Sequence, residues 1–319
     1  MRMRSLIAAA LAVCTSVILA VTPGARAADT VRVGVPAVYP TYAVLYAAKE
    51  LGFYSERNID TEVTVFRGGP ATQEALAAGS IDISGIAPGA ASLAIAKGVR
   101  EKIVALFAPA PAAGWHIMVP VASPIKSMAD LNGKTVGVTQ KASLTDFWVE
   151  LAAKQSGITV QTVPLGAGVM PGLRAKQVDA SILWPLFSYK GLLSGEFRSI
   201  YDLEAKMKPS VSEGWAVTET LIDTHPDVLR KWLAADSKAV THMQTHPDWS
   251  VDFLARYFEE PDKRVSKIVF DNFIMKIRPD GTMDPEWIKE ALDLAAASGI
   301  KVLPADQIFT TQFLPVHMD

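Results

Sequence analysis

His242 and His246 stand four residues apart on a stretch with helical spacing, a separation that lets two imidazoles share a metal ion. No acid or third histidine is placed to complete the set, so a solvated helix face is the plainer reading, and no metal is expected. Gly166-Ala-Gly168 followed by Gly172 has the glycine content of a dinucleotide loop, but the spacing is wrong and Pro171 interrupts it. The sequence contains no Gly-x-Ser-x-Gly elbow, no phosphate loop ending in Gly-Lys-Ser/Thr, no His-Glu-x-x-His helix and no calcium loop, so no cofactor is expected either. Asp82 and Asp179 each start a short strand, where a carboxylate takes backbone N–H groups, and their doubling points to structure rather than to a catalytic pair. Ser143 and Thr145 stand before a helix that runs through Phe147-Trp148. Hydroxyls there can cap the helix and, together with its dipole, hold an anion; the two roles are compatible.

The only cysteine is Cys14, within the first 27 residues. That stretch has a basic start, a nearly unbroken small or apolar run from Leu6 to Val21 and a small-x-small ending, Ala25-Arg26-Ala27. It reads as a cleaved signal peptide, its apolar run being short against the ~20 residues that span a bilayer. The mature chain would then lack cysteine, which excludes disulfides, thiol catalysis, zinc ribbons and iron–sulfur sites. Removing Arg2, Arg4 and Arg26 from 31 basic residues leaves 28 against 33 acidic ones, a mildly acidic balance that argues against nucleic acid as partner. Half of the chain is apolar, enough for ordinary globular domains, and its length suggests two lobes.

Val31 to Val35 reads as a buried strand, and Tyr42 to Leu51 as a helix stopped by Gly52. Thr61 to Phe66 is a second strand, Gly68-Gly69-Pro70 opens a helix through Ala77, and Ile81-Asp-Ile83 is a third strand. The same words return about a hundred residues later. Val33-Gly-Val35, Ala47-Ala-Lys-Glu-Leu-Gly52 and Ser80-Ile-Asp-Ile-Ser84 are echoed by Val136-Gly-Val138, Ala152-Ala-Lys-Gln-Ser-Gly157 and Gln177-Val-Asp-Ala-Ser-Ile-Leu183. Two copies of one βαβαβ plan predict two α/β lobes, each a mostly parallel sheet flanked by helices. Ala108 to Gly114 and Met207 to Gly214 have linker composition. From Leu221 the pattern is helical, with helices over Asp227 to Gln244 and from Asp284-Pro285 to Gly299 that need the first sheet to pack on. The resulting division is a signal peptide at 1–27, lobe one at 28–112 and 214–319, and lobe two at 113–213, with two crossings that form a hinge.

These residues resemble a known family, the extracytoplasmic solute-binding proteins of ABC importers of the nitrate, sulfonate and taurine type, which include pyrimidine-precursor binders. The resemblance is carried by Tyr46-Ala-Ala-Lys-Glu-Leu-Gly-Phe-Tyr54, Phe66-Arg-Gly-Gly-Pro70, Glu74-Ala-Leu76, Gly79-Ser-Ile-Asp82, Asp130-Leu-Asn-Gly-Lys-Thr-Val-Gly-Val138, Val178-Asp-Ala180 and Trp184-Pro185, in that order. Many relatives carry an acid between that Trp and Pro; here none intervenes. The family implies the two-lobed type II periplasmic binding protein fold, a small-molecule solute as ligand, an inner-membrane ABC permease as partner, a periplasmic location and no enzymatic activity. A monomer is the default for such a hinged binder.

Ligands of open α/β sheets bind beyond the carboxyl ends of the strands, where helix N-termini present free N–H groups. Those ends hold Tyr39 and Thr41, Arg67 with Gly68 and Gly69, Pro88, the segment with Ser143, Leu144 and Thr145, and Gly168. Arg67 could pair with a carboxylate or sulfonate, or form an exposed salt bridge. Tyr39, Trp115, Trp184 and Trp215 fall at strand ends or crossings, as walls for a flat ligand or as core; Trp148 and Trp232 read as core. Several rings suggest an organic solute larger than nitrate: a sulfonate, a carboxylate or a pyrimidine-like heterocycle. Two other readings stand beside the receptor. One is a pyrimidine-precursor synthase of the same fold, which would need a cysteine-rich iron motif; the other is a ligand sensor for a membrane signalling protein.

Overall fold

The computed structural model describes residues 28–110, 113–206, 208, 210–282 and 284–318; the expected signal peptide lies outside them. The chain opens with β1 (Asp29–Val35), a 3-10 turn over Pro40–Tyr42, α1 (Ala43–Glu50), β2 (Ile59–Val65), α2 (Gly69–Ala77), β3 (Ile83–Ile86), α3 (Pro88–Ala96) and β4 (Glu101–Ala110). A second run follows: β5 (His116–Pro120), β6 (Thr135–Val138), α4 (Leu144–Gln155), β7 (Gln161–Pro164), α5 (Val169–Arg174), β8 (Ala180–Leu183), α6 (Pro185–Leu193) and β9 (Phe197–Asp202). After β10 (Ser210–Thr218) the chain is helical: α7 (Glu219–Thr224), α8 (Pro226–Thr245), α9 (Pro247–Tyr257), α10 (Lys263–Asn272), α11 (Pro285–Ala297) and α12 (Ala305–Ile308).

Two five-stranded sheets result, in the orders β2-β1-β3-β10-β4 and β7-β6-β8-β5-β9. The repeat read from the sequence is therefore a repeat of topology, with β1, β2 and β3 matched by β6, β7 and β8. In each sheet one strand is reversed: β10 pairs antiparallel with β3 and β4, and β5 with β8 and β9. The reason is connectivity. Strands β4 and β9 run in the direction of their parallel neighbours and carry the chain across to the other sheet, so the strand that receives it must run back.

The two copies share local devices. Gly34 in β1 and Gly137 in β6 leave no room for a side chain, since a Cβ would stand 2.5 Å from Ile81 Cδ1 and 2.4 Å from Ser181 Oγ respectively. Asp82 and Asp179 each tie the start of the third strand to the first. Asp82 accepts from the Arg32 N–H at 2.8 Å and from its guanidinium, and Asp179 accepts from Thr135 N at 2.9 Å and Oγ1 at 2.8 Å. This is the structural role expected of both.

Some boundaries differ from expectation. The third strand is Ile83–Ile86 rather than 81–83, because the carboxylate clip occupies the position before it. The linker-like stretches are shorter than composition suggested: β4 runs through Ala110 and β10 starts at Ser210, with Val211 aligned to Pro109. Helix α8 packs on α1, and α11 packs on α3 and β10. Helix α10 instead packs against α6 of the second run, where Lys190 Nζ lies 2.5 Å from the buried Glu260 carboxylate. No helix among the described residues is long and apolar enough to cross a membrane.

Candidate functional site

Where the carboxyl ends of the two sheets face each other, a cavity of about 40 Å³ lies between them. The first sheet and its helices contribute Pro36, Ala37, Tyr39, Tyr42, Gly69, Ile86, Ala87, Ala90 and Glu213; the second side contributes Trp115, Thr139, Ser143, Leu144, Thr145 and Trp184. Four helices begin at this wall. Gly69 opens α2, Ala87 is the cap of α3, Ser143 the cap of α4, and Trp184 the cap of α6. Their N-termini give the cavity a partial positive character without any Lys, Arg or His among the lining residues.

The second-sheet wall carries a hydroxyl cluster. Thr139 Oγ1 lies 3.0 Å from Ser143 Oγ and 2.8 Å from Thr145 Oγ1, and the last two are 2.8 Å apart. Thr145 Oγ1 also accepts from Thr139 N at 2.9 Å, and Ser143 Oγ accepts from Asp146 N at 3.4 Å. The loop is held by Asp146, whose carboxylate accepts from Ala142 N at 2.8 Å and from Thr162 Oγ1 at 2.5 Å. Three hydroxyls that now satisfy one another can turn their protons toward an acceptor on a ligand.

Aromatic rings form the rest. Trp115 Nε1 donates to Tyr39 Oη at 3.0 Å, and Trp184 Nε1 donates to Val38 O at 3.1 Å, so both indoles tie the second side to the first. Trp115 stands edge-on to Trp148 at 4.6 Å between ring centres, with Trp184 6.1 Å away.

Glu213 is the one ionisable carboxyl in the lining, 6% exposed. Burial pushes its pKa up to about 7, and the hydroxyls of Tyr42 and Thr41 pull it partly back. Its Oε2 accepts no hydrogen bond of good geometry, and Thr41 Oγ1 makes none either. Burial also raises the Tyr39 and Tyr42 hydroxyls well above their ordinary value, with the Glu213 charge adding to both. The β10–β4 register shifts on both sides of Glu213, after Val211 and before Gly214. Such irregularity re-aims a side chain out of the regular alternation.

Of the residues proposed from the sequence, the cavity brings together Tyr39, Gly69, Trp115, Ser143, Leu144, Thr145 and Trp184. It leaves out six. Thr41 is fully buried behind the wall, its hydroxyl facing Glu213. Trp215 is buried under Tyr42, 5.7 Å between ring centres, and donates to Asp236 at 3.1 Å; an indole on a central strand has an inner face to fill first. Arg67 is exposed at the rim, its stem beside Gly166 on the other side. Gly68 (φ 105°) caps α2 and packs on Gln140; Pro88 is the first residue of α3, turned toward α11; Gly168 caps α5 in open space. Glu213 and Thr139 were not anticipated. Glu213 sat in a stretch of linker composition, although its place just before the apolar run Gly214–Val217 marks a strand; Thr139 follows Val-Gly-Val138 as Pro36 follows Val-Gly-Val35, and aligning the repeat would have paired them.

Two mixed α/β sheets with a cleft between their carboxyl ends define the periplasmic binding protein fold. The solved alkanesulfonate-binding protein SsuA of Xanthomonas axonopodis pv. citri, bound to MOPS, shares it at a TM-score of 0.75 and 22% identity, covering 89% of this chain and 99% of that one. Within this class the chain belongs to the NMT1/THI5-like family, whose model matches residues 39–250. A relative in Brucella abortus strain 2308, described only as a binding protein, is 27% identical over 308 residues, 91% of this chain and 93% of the relative. The fold also houses a desulfurization enzyme, at 18% identity and a TM-score of 0.63 over 89% of this chain and 97% of that one.

Proposed function

We propose that the protein is the solute-binding component of an ABC importer, working in the periplasm as a monomer that hands a small organic solute to an inner-membrane permease. The observation that carries this reading is the cavity itself: four helix N-termini and a hydroxyl cluster for an acidic head, between aromatic walls for a flat body. A sulfonate head fits that chemistry, being a weakly basic anion that accepts several hydrogen bonds, and the alkanesulfonate-binding relative makes it the first class to try. The cavity of about 40 Å³ is far below the ~300 Å³ or more of ligand pockets, so a solute enters only when the two sides part. The segments joining β4 to β5 and β9 to β10 are the natural hinge between lobe one and lobe two.

The lining favours binding over catalysis. The Ser143, Thr139 and Thr145 hydroxyls hydrogen-bond one another, and the one ionisable carboxyl of the lining, Glu213, stands on the other side beside Tyr42 and Thr41 and not against these hydroxyls. A melting screen of the ligand-stripped protein against sulfonates, aromatic acids, heterocycles, nitrate and bicarbonate tests the reading. A ligand at 100 times its dissociation constant adds about 2.7 kcal/mol, several degrees in melting temperature. Absence of a shift across all classes would overturn it.

A further inference from the structure

The hydroxyl cluster and the helix N-termini account for an acidic group on the solute, but not for Glu213. A carboxyl buried in a ligand cleft among helix N-termini works against an anion unless it has a task of its own. Within the protein it is only half served: the Tyr42 and Thr41 hydroxyls stand beside it, Oε2 is buried with no hydrogen-bond partner of good geometry among the described residues, and the residue is one of those that line the cavity. The β10–β4 register shifts on both sides of this residue, which interrupts the regular alternation of the strand where Glu213 stands. The hydroxyls beside it leave part of its acceptor capacity unused, so the carboxyl can accept from an N–H brought into the cavity.

We propose that Glu213 binds a nitrogen on the solute, an ammonium, amidinium or ring-amino group, so that the ligand is a flat molecule with an acidic head at one end and an N–H donor at the other. This rests on the receptor reading above and narrows it. The two walls then divide the work: the second side, through Thr139, Ser143 and Thr145, takes the acidic head, and the first side, through Glu213, takes the nitrogen. The solute bridges the sides and its dual charge selects against plain anions such as nitrate. Burial holds the free carboxyl near the neutral point, so a cationic nitrogen completes its ionisation by contact rather than by solvent.

The test is calorimetric titration of the full mature protein with matched pairs, benzenesulfonate against 4-(aminomethyl)benzenesulfonate and benzoate against 4-aminobenzoate, in wild type, Glu213→Gln and Glu213→Asp. The aminated member should bind at least tenfold tighter to wild type. Glu213→Gln should erase that preference, and Glu213→Asp should retain part of it, which separates loss of charge from loss of fold; circular dichroism of each variant checks the latter. Equal affinity within the pairs, or a preference indifferent to Glu213→Gln, would overturn the assignment while leaving the receptor reading standing. Failure of both members of both pairs to bind would count against the assignment and the receptor reading together.

Discussion

The two sheets are copies of one plan that agree at one end and disagree at the other. Away from the cleft, Gly34 matches Gly137 and Asp82 matches Asp179, with the same close approach and the same clip of backbone N–H groups. At the cleft, position by position, the copies part. The residue between the third strand and its helix is Ala87 in one and Trp184 in the other, each followed by proline. The residue after Val-Gly-Val is Pro36 in one and the hydroxyl-bearing Thr139 in the other. The first wall keeps a buried carboxyl and the second a set of hydroxyls. Shared positions hold the sheets together, and divergent ones face the cavity.

Substitutions can break or sharpen this contrast. Trp184→Ala should have the largest effect, about 3–5 kcal/mol in urea unfolding, since it empties a buried ring site and frees Val38 O across the cleft. A near-neutral result would mean the second wall is not packed against the first. Gly34→Ala and Gly137→Ala should each cost up to about 3 kcal/mol, through forced contact with Ile81 and Ser181. Their similarity is the point: a large cost in one copy with none in the other would end the equivalence.

Glu213→Gln should change stability in the opposite sense. A carboxyl with pKa about 7 when folded, against ~4.3 unfolded, stays protonated in the native state after the unfolded chain has lost its proton, so stability falls as pH rises from about 4 to 7. The amide variant should therefore be more stable than wild type by roughly 2–4 kcal/mol at pH 8, with the difference vanishing near pH 4 in denaturant titrations. Asp179 shows the other sign: burial pushes its pKa up, but the hydrogen bonds from Thr135 and the nearby Lys134 charge together outweigh it and depress the pKa, so its contribution is present at neutral pH and lost as acid protonates it. Asp179→Asn should remove that acid-side slope. Smallest is Ser143→Ala, about 1 kcal/mol of stability from a lost cap, together with weaker binding of any sulfonate.

Much of the shared end was legible in the sequence, because it rests on local rules. Glycine between two valines, aspartate at a strand start and the Ala-Ala-Lys helix ending each recur in order, so topology followed from repetition. The cleft end was half legible. Tyr39, Trp115, Trp184, Ser143 and Thr145 could be placed by the rule that ligands sit past strand ends. Glu213 could not, since it stands where the register between β10 and β4 shifts and no spacing along one strand records that. Trp215 and Arg67 failed for complementary reasons: a ring at a crossing can turn inward to a buried Asp236, and a long cation can stay at the rim.

The reversed strand β10 also governs how the molecule can be made. It lies between β3 and β4 in the first sheet, yet it is synthesised after the whole of the second sheet, which residues 116–202 complete from contiguous chain. During synthesis the first sheet therefore has a gap in its middle, with β3 and β4 unable to pair with each other in the native order. The later-born sheet is expected to close first and the earlier-born one last, so that final assembly waits on an insertion of high contact order, the slow kind of step. A nascent chain stopped before Ser210 should hold one finished sheet and two open strand edges, which makes this interval the one in which the protein most needs protection from aggregation.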